Sequence, residues 1–176
     1  RKMANPVDGA GPVAAPGELR IGTGVDVHRL VPGRPLWLGC VQIDHPLGLE
    51  GHSDADPLAH AITDAILGAL GQRDIGCHYP PGEARWRGYP GIRFLEDMRD
   101  LLTRWGWTIV NVDGVIVAER PKLAPHIPRM TVRVAEGLGV NPARVGIKAK
   151  TFEGLGFTGR EEGIMAQTVV LLQKAR

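Results

Sequence analysis

Asp26 and His28 lie two positions apart in GVDVHRL, in a run where Ile21, Thr23, Val25 and Val27 alternate with Gly22, Gly24, Asp26 and His28. Side chains of a strand alternate between faces, so a carboxylate and an imidazole share one face, which the glycines leave uncrowded. A hard oxygen and an imidazole nitrogen can meet on one cation, and zinc in catalytic sites takes three such protein ligands and keeps a fourth position open. His60 is the third ligand expected, one turn into a helix on the stripe of Asp56 and Asp64, with Asp64 expected to accept from its other ring nitrogen. Read alone, the same residues equally fit a capped turn, a core-edge histidine and a solvated helix face, so spacing by itself leaves both readings open.

Two further clusters carry chemistry. GHSDAD places His52, Ser53, Asp54 and Asp56 before a helix start, where free backbone N–H groups and the helix dipole favour an anion; a capping box with spare polar residues is the plainer alternative. KAKTFEGLGFTGREEG, from Lys148 to Gly163, supplies two lysines, Thr151, Glu153, glycines at 154, 156 and 159, then Thr158 and Arg160. Glycines admit an oxyanion close to the backbone, cations neutralise it, and a carboxylate such as Glu153 can share Mg²⁺ with phosphate oxygens, a set suited to a diphosphate. The pattern is not that of a P-loop, and a Gly-rich hairpin with exposed charges fits it too.

The elements that must hold these groups follow from periodicity. The alternation from Arg20 predicts a strand, and PGRP before LWLGCVQI predicts a hairpin that returns on it over 36–43. Asp56 as N-cap, Pro57 in the first turn, Leu58, Ile62, Ile66 and Ala69 at helical spacing, and Gly71 as a stop predict a helix over 57–70. The turn-rich stretch from Gly76 to Gly91 predicts a long loop. Phe94 to Trp105 and Ile127 to Leu138 predict two more amphipathic helices, and WTIVNVDGVIVAE, RVGIKAK and GIMAQTVVLL predict strands. Strands and helices mixed in this order predict an α+β fold, a mixed β-sheet with helices packed on one side, in a single domain over 20–176. Residues 1–19, rich in Pro, Gly and Ala without apolar periodicity, predict a flexible N-terminal extension.

Composition excludes several classes. Of 176 residues 43% are hydrophobic and 23% charged, ordinary globular values that argue against a disordered or fibrous chain. The 21 Lys and Arg are interleaved with 19 Asp and Glu for a net charge of +2, which argues against nucleic acid as partner. No apolar run reaches the roughly 20 residues a bilayer requires, so no membrane partner is expected. Cys40 and Cys77 are too few for a disulfide framework and read as packing residues in a reducing compartment.

GxGxDVHRL, GHSDADPLAHAITDAILGA, DIG, NVDGVIVAERPKLAPHIPRM and IKAKTFEGLGFTGREEGI, in that order from about Arg20 to Lys174, resemble the 2-C-methyl-D-erythritol 2,4-cyclodiphosphate synthase family. The resemblance implies an enzyme of non-mevalonate isoprenoid biosynthesis, a phosphorus-oxygen lyase that cyclises 4-diphosphocytidyl-2-C-methyl-D-erythritol 2-phosphate and releases CMP. It implies a homotrimer with active sites at subunit junctions, a small-molecule cytidine diphosphate substrate, and operation in the bacterial cytoplasm, with a plastid as the alternative. Carried over by motif, Asp26, His28 and His60 would bind Zn²⁺ and Glu153 would bind Mg²⁺ or Mn²⁺, with Thr151 completing the catalytic set. His52 and Ser53 would meet phosphate and the methylerythritol end, Asp74 and Gly76 the ribose hydroxyls, and Ala118, Pro121, Lys122 and Leu123 the cytosine, while Thr151, Phe157 and Arg160 would approach the diphosphate. The chain departs from the family pattern at Pro81, where an acid is common, at Lys150 and Phe152 within KAKTFE, and in GYPGIRFL, which lacks a frequent Asp-Ser pair. A zinc-dependent phosphohydrolase giving a linear product and a catalytically silent trimer binding nucleotides or isoprenoid diphosphates are the rival readings.

Overall fold

A computed structural model describes residues 9–176, so the first eight residues of the expected N-terminal extension lie outside the described residues. Residues 9–18 run along the body: Trp105 Nε1 donates to the Gly9 carbonyl at 3.1 Å, and Gly17 N–H donates to the Lys174 carbonyl at 3.0 Å.

The chain then runs through strands β1 (Leu19–Pro32), β2 (Leu36–Leu38), β3 (Val41–Ile43) and β4 (Leu47–Leu49), followed by helices α1 (Pro57–Ala69), α2 (Ile75–His78) and α3 (Gly91–Trp105). Strand β5 (Trp107–Val117), helix α4 (Ile127–Leu138), strand β6 (Val145–Lys150), the single turn α5 (Gly156–Gly159) and strand β7 (Gly163–Lys174) complete it. One sheet has the order β4-β1-β7-β5-β6, with β5 and β6 parallel and the other neighbours antiparallel, as a mixed sheet requires. Helix α1 lies across β1 and β7, α3 packs beside α1, and α4 packs on α3 and β6, so the α+β layering expected from the sequence is what the chain adopts.

The layer spacing at the site is set by glycine. A Cβ at Gly22 would lie 1.9 Å from the Ala65 carbonyl oxygen, and one at Gly24 would lie 2.0 Å from that of Ala61. Helix α1 therefore sits directly on the β1 backbone, with Ala61 and Ala65 facing the strand and Thr168 Oγ1 of β7 donating to the Ala61 carbonyl at 2.8 Å. The helix starts as the sequence predicts: Asp56 caps it by accepting from Leu58 and Ala59 N–H, with Pro57 in the first turn.

Two expectations are corrected, and β1 turns its apolar side outward. The apolar face of β1 is not the buried one: Ile21, Val25 and Val27 are 72%, 51% and 47% exposed, and Val169 of β7 beside them is 39% exposed. The glycine face is covered instead, because only it admits the helix. The stretch 36–43 does not return on β1; β2 and β3 pair with each other through Gly39 and Cys40, both at positive φ, and β4 pairs with β1. Asp56 accounts for this too, since its carboxylate accepts from Gly39 N–H at 3.0 Å and Cys40 N–H at 2.6 Å and so fastens the turn beneath the helix start. Finally, residues 76–91 are not an unstructured loop: α2 and a 3-10 turn at Ala84–Trp86 fold over an aromatic cluster of Tyr79, Trp86, Tyr89 and Phe94.

Candidate active site

Asp26 and His28 project from the glycine face of β1, and the close seating of α1 brings His60 over them. Asp26 Oδ2 lies 2.8 Å from His28 Nε2 and 3.0 Å from His60 Nδ1, and the two imidazole nitrogens are 3.2 Å apart. Among the described residues these three form the group of metal-ligating atoms converging within 4.8 Å. Their second nitrogens are already committed. His28 Nδ1 is 2.7 Å from the Glu50 carbonyl, which only accepts, so Nδ1 carries the hydrogen and Nε2 presents a lone pair. His60 Nε2 is 3.0 Å from Ser53 Oγ, and donation there leaves Nδ1 bare toward Asp26.

Three lone pairs thus point into one space. Zinc with bonds of about 2.0–2.1 Å in a tetrahedron spaces its ligand atoms by roughly 3.3 Å, which the triangle approaches on all three sides, so the residues fit a small divalent cation. Electrostatics agree in sign. Burial raises the Asp26 carboxyl, but when the inward nitrogens of His28 and His60 carry protons instead, their hydrogen bonds to it outweigh burial and hold the group well below the usual carboxylate range. Burial lowers His28 while contact with Asp26 raises it more, so the ring sits above its ordinary value: the carboxylate draws positive charge to this point.

A cavity of about 210 Å³ opens on the triangle, lined by Asp26, His28, His60, His52 and Ser53 on one side and by Ile75, Gly76, Tyr79, Pro81, Trp86 and Phe94 on the other. His52 is held by contact of Nε2 with the Glu83 carbonyl at 3.1 Å. Asp74 does not line this cavity; it is exposed and caps α2, accepting from Cys77 N–H at 3.1 Å. Asp64 does not orient His60 as expected, because its carboxylate accepts from Ile75 N–H at 2.7 Å and so fixes the start of α2 instead.

The remaining expected residues gather elsewhere. Ala118, Pro121, Lys122, Leu123 and Thr151 line a second cavity of about 610 Å³ with Glu119, Lys150 and Glu161, where the chain leaves β5 through a cis Arg120–Pro121 peptide and passes the end of β6. Glu153 stands outside it on an exposed turn at positive φ, its carboxylate accepting from Thr151 Oγ1 at 2.9 Å. Arg160 is exposed and paired with Glu162, and Phe157 lines a third cavity with Val27, His28, Arg29 and Glu162. Strands β1 and β6 stand three places apart in the sheet, about 14 Å at ordinary strand spacing, so within one chain the triangle and the 118–123 cavity are separate.

Sequence reasoning missed three contributors. The Glu50 carbonyl leaves no sequence signal. Arg34, whose guanidinium donates to the Ser53 carbonyl at 2.9 Å, is hidden in a turn motif. The aromatic wall was visible in principle, since a solvated loop has no use for Tyr79, Trp86, Tyr89 and Phe94 within sixteen residues.

The YgbB family profile matches residues 19–173. A 2-C-methyl-D-erythritol 2,4-cyclodiphosphate synthase of Synechococcus elongatus is 56% identical over 154 residues, covering 88% of this chain and 96% of that protein. The corresponding synthase of a Synechocystis species is 56% identical over 156 residues, covering 89% and 97%. Among solved structures, a CDP-bound form of such a synthase superposes with a TM-score of 0.79 at 38% identity, covering 87% of this chain and 99% of that one. The bifunctional IspDF protein of Campylobacter jejuni superposes with a TM-score of 0.85 at 39% identity, and this chain spans 43% of its length. With relatives more than half identical along nearly all of both chains, this chain belongs to the YgbB family, that of the 2-C-methyl-D-erythritol 2,4-cyclodiphosphate synthases.

Proposed function

We infer that the chain is a phosphorus-oxygen lyase that converts 4-diphosphocytidyl-2-C-methyl-D-erythritol 2-phosphate into the cyclic 2,4-diphosphate with release of CMP. The observation that carries the inference is the convergence of Asp26, His28 and His60 beside a cavity, in a chain of this family. In this reaction an oxygen of the substrate's 2-phosphate attacks the β-phosphorus, the bond from that phosphorus to the bridging oxygen breaks, and CMP leaves with the electron pair. The nucleophile is anionic already, so no protein base is needed. Bringing two phosphates together against their repulsion is the task, and positioning with charge neutralisation dominates such transfers.

A divalent cation bound by Asp26, His28 and His60, zinc by the chemistry of the donor set, supplies positive charge where the phosphates meet. Ser53 and His52 border that space and orient the substrate, Ser53 also holding the outer nitrogen of His60. Glu153 beside Thr151 is the carboxylate we assign to Mg²⁺ or Mn²⁺, and the 118–123 cavity takes the cytosine. Asp74 with Gly76 serves the ribose, and Phe157 and Arg160 serve the diphosphate region.

We further propose that the working unit is a homotrimer with each site at a junction between copies, acting in the bacterial cytoplasm. Two observations support the assembly. The face bearing Ile21, Val25, Val27 and Val169 is apolar and uncovered, where burial would contribute about 1–2 kcal/mol for each side chain. The two cavities that one substrate must span lie apart within a single chain, so a second copy is needed to join them. Incubation of the cytidine substrate with purified protein, Zn²⁺ and Mg²⁺, followed by phosphorus NMR and mass detection, tests the reaction. The cyclic diphosphate with equimolar CMP is expected; CMP with a linear bisphosphate would instead identify a hydrolase, and no turnover a binding protein.

A further inference from the structure

The two ring nitrogens that turn away from the cation triangle are held by one short segment. The Glu50 carbonyl is 2.7 Å from His28 Nδ1, and Ser53 Oγ is 3.0 Å from His60 Nε2. Partners of this kind set the orientation of a ligating imidazole, and losing one costs a metal site about 10–100-fold in affinity. The placement of residues 50–53 is therefore part of the triangle's geometry.

Most of that segment is tied by backbone to backbone. Glu50 N–H donates to the Arg29 carbonyl at 2.9 Å, Gly88 N–H to the His52 carbonyl at 2.8 Å, and Asp54 N–H to the Tyr89 carbonyl at 3.2 Å. The Ser53 carbonyl is met by a side chain instead, since Arg34 Nη2 donates to it at 2.9 Å. Arg34 lies in the turn between β1 and β2, and that turn has a fixed seat. A Cβ at Gly48 of β4 would come within 2.1 Å of the Arg34 carbonyl oxygen, so only glycine lets the strand and the turn lie this close.

Stability alone gives little reason for an arginine here. Its Nε is buried without a partner among the described residues, and a buried donor left unmade costs free energy. An apolar side chain of similar length would avoid that cost. What the guanidinium adds is its reach to Ser53.

We propose that Arg34 is a positioning residue for the cation site: its guanidinium fixes the Ser53 main chain, so that Ser53 Oγ holds the outer nitrogen of His60 and keeps Nδ1 turned toward Asp26 and His28. The proposal rests on the functional reading above, in which the triangle binds a divalent cation. Arg34 is not among the residues that line the cavity, so it acts through Ser53.

Arg34→Met keeps the length of the side chain and removes the donor. Competition for Zn²⁺ between metal-free protein and a chromophoric chelator should show Kd rising about tenfold, the lower end of the range for a lost outer partner because Arg34 stands one contact further out. The Tm of the metal-free protein should stay within about 3 °C of wild type, since the buried unpaired Nε goes with the lost bond. Arg34→Gln, too short to reach, should behave the same way, and Arg34→Lys, which keeps a charged donor on a long stem, should recover Kd to within threefold. Ser53→Ala should weaken Zn²⁺ binding by itself, and adding Arg34→Met to it should change Kd less than twofold, because both remove one chain of contacts. A Kd within twofold of wild type in both Arg34→Met and Arg34→Gln would overturn the proposal while wild-type zinc binding leaves the cation reading standing. Full additivity with Ser53→Ala would overturn the route through Ser53. A Tm loss in metal-free Arg34→Met matching that of a generally loosened fold, with no recovery in Arg34→Lys, would reduce Arg34 to a structural residue. A wild-type protein that binds no zinc would overturn the cation reading and the proposal with it.

Discussion

Gly24→Ala tests how the fold makes the cation triangle. The added Cβ would lie 2.0 Å from the Ala61 carbonyl oxygen, whereas ordinary contact begins near 3.4 Å, so α1 has to retreat by more than 1 Å. His60 precedes Ala61 and moves with it, while Asp26 and His28 stay on the strand. Metal sites tolerate displacements of only about 0.2 Å in a ligand distance, so the third ligand is lost rather than weakened, and affinity for Zn²⁺ should fall at least about 100-fold. Overpacking costs about 1–3 kcal/mol, which in a chain of this size lowers Tm by roughly 2–12 °C. The control is Gly68→Ala on the same helix, where the new Cβ would meet Thr23 O at 3.8 Å and should be tolerated. Zn²⁺ affinity measured by competition with a chromophoric chelator, alongside thermal denaturation, reads both effects. Wild-type metal affinity in Gly24→Ala, or equal damage from Gly68→Ala, would refute the claim that glycine at β1 sets the site's geometry.

The pH dependence of stability carries a second prediction. Burial foremost, with the neighbouring Asp56, raises the Asp54 carboxyl from the ordinary 3.8 to about 6. The folded chain then keeps a proton that the unfolded chain has released, so this group makes stability fall as pH rises from about 4 to 6, by roughly 3 kcal/mol at most. Melting of metal-free protein across that window should show a flatter profile in Asp54→Asn than in wild type; parallel profiles would contradict the assignment. A third concerns assembly: Ile21→Asp combined with Val169→Asp, both on the uncovered sheet face, should yield a folded chain of monomer mass by light scattering, with turnover below about 1% of wild type. A monomeric variant with full turnover would show that one chain holds a complete site.

Much of this was legible in the residues. Alternation in GVDVHRL put Asp26 and His28 on one face, and Asp56-Pro57 marked the helix start to the residue, because capping and period 2 are local properties. The third ligand was legible as a residue type, but the contact is tertiary, made by Gly22 and Gly24 under Ala65 and Ala61. Alternation alone does not say which face of β1 is covered: apolar Ile21 and Val25 face outward, and the glycines face inward where the helix requires them. The i,i+4 spacing pairs Asp64 with His60, but the backbone N–H of Ile75 takes its carboxylate, and nothing in the local sequence predicts that approach. The prolines and glycines of 76–91 point to a loop, whereas its aromatic rings bury one another and give it a fixed shape.

The metal content of the purified protein, with its His60→Ala variant, tests the central claim most directly. After dialysis against Zn²⁺ and removal of excess, elemental analysis should find one tightly held zinc per wild-type chain and almost none in His60→Ala, with both proteins showing the same secondary structure and assembly. Equal zinc in the two, or none in a wild-type protein that still forms the cyclic product, would contradict it.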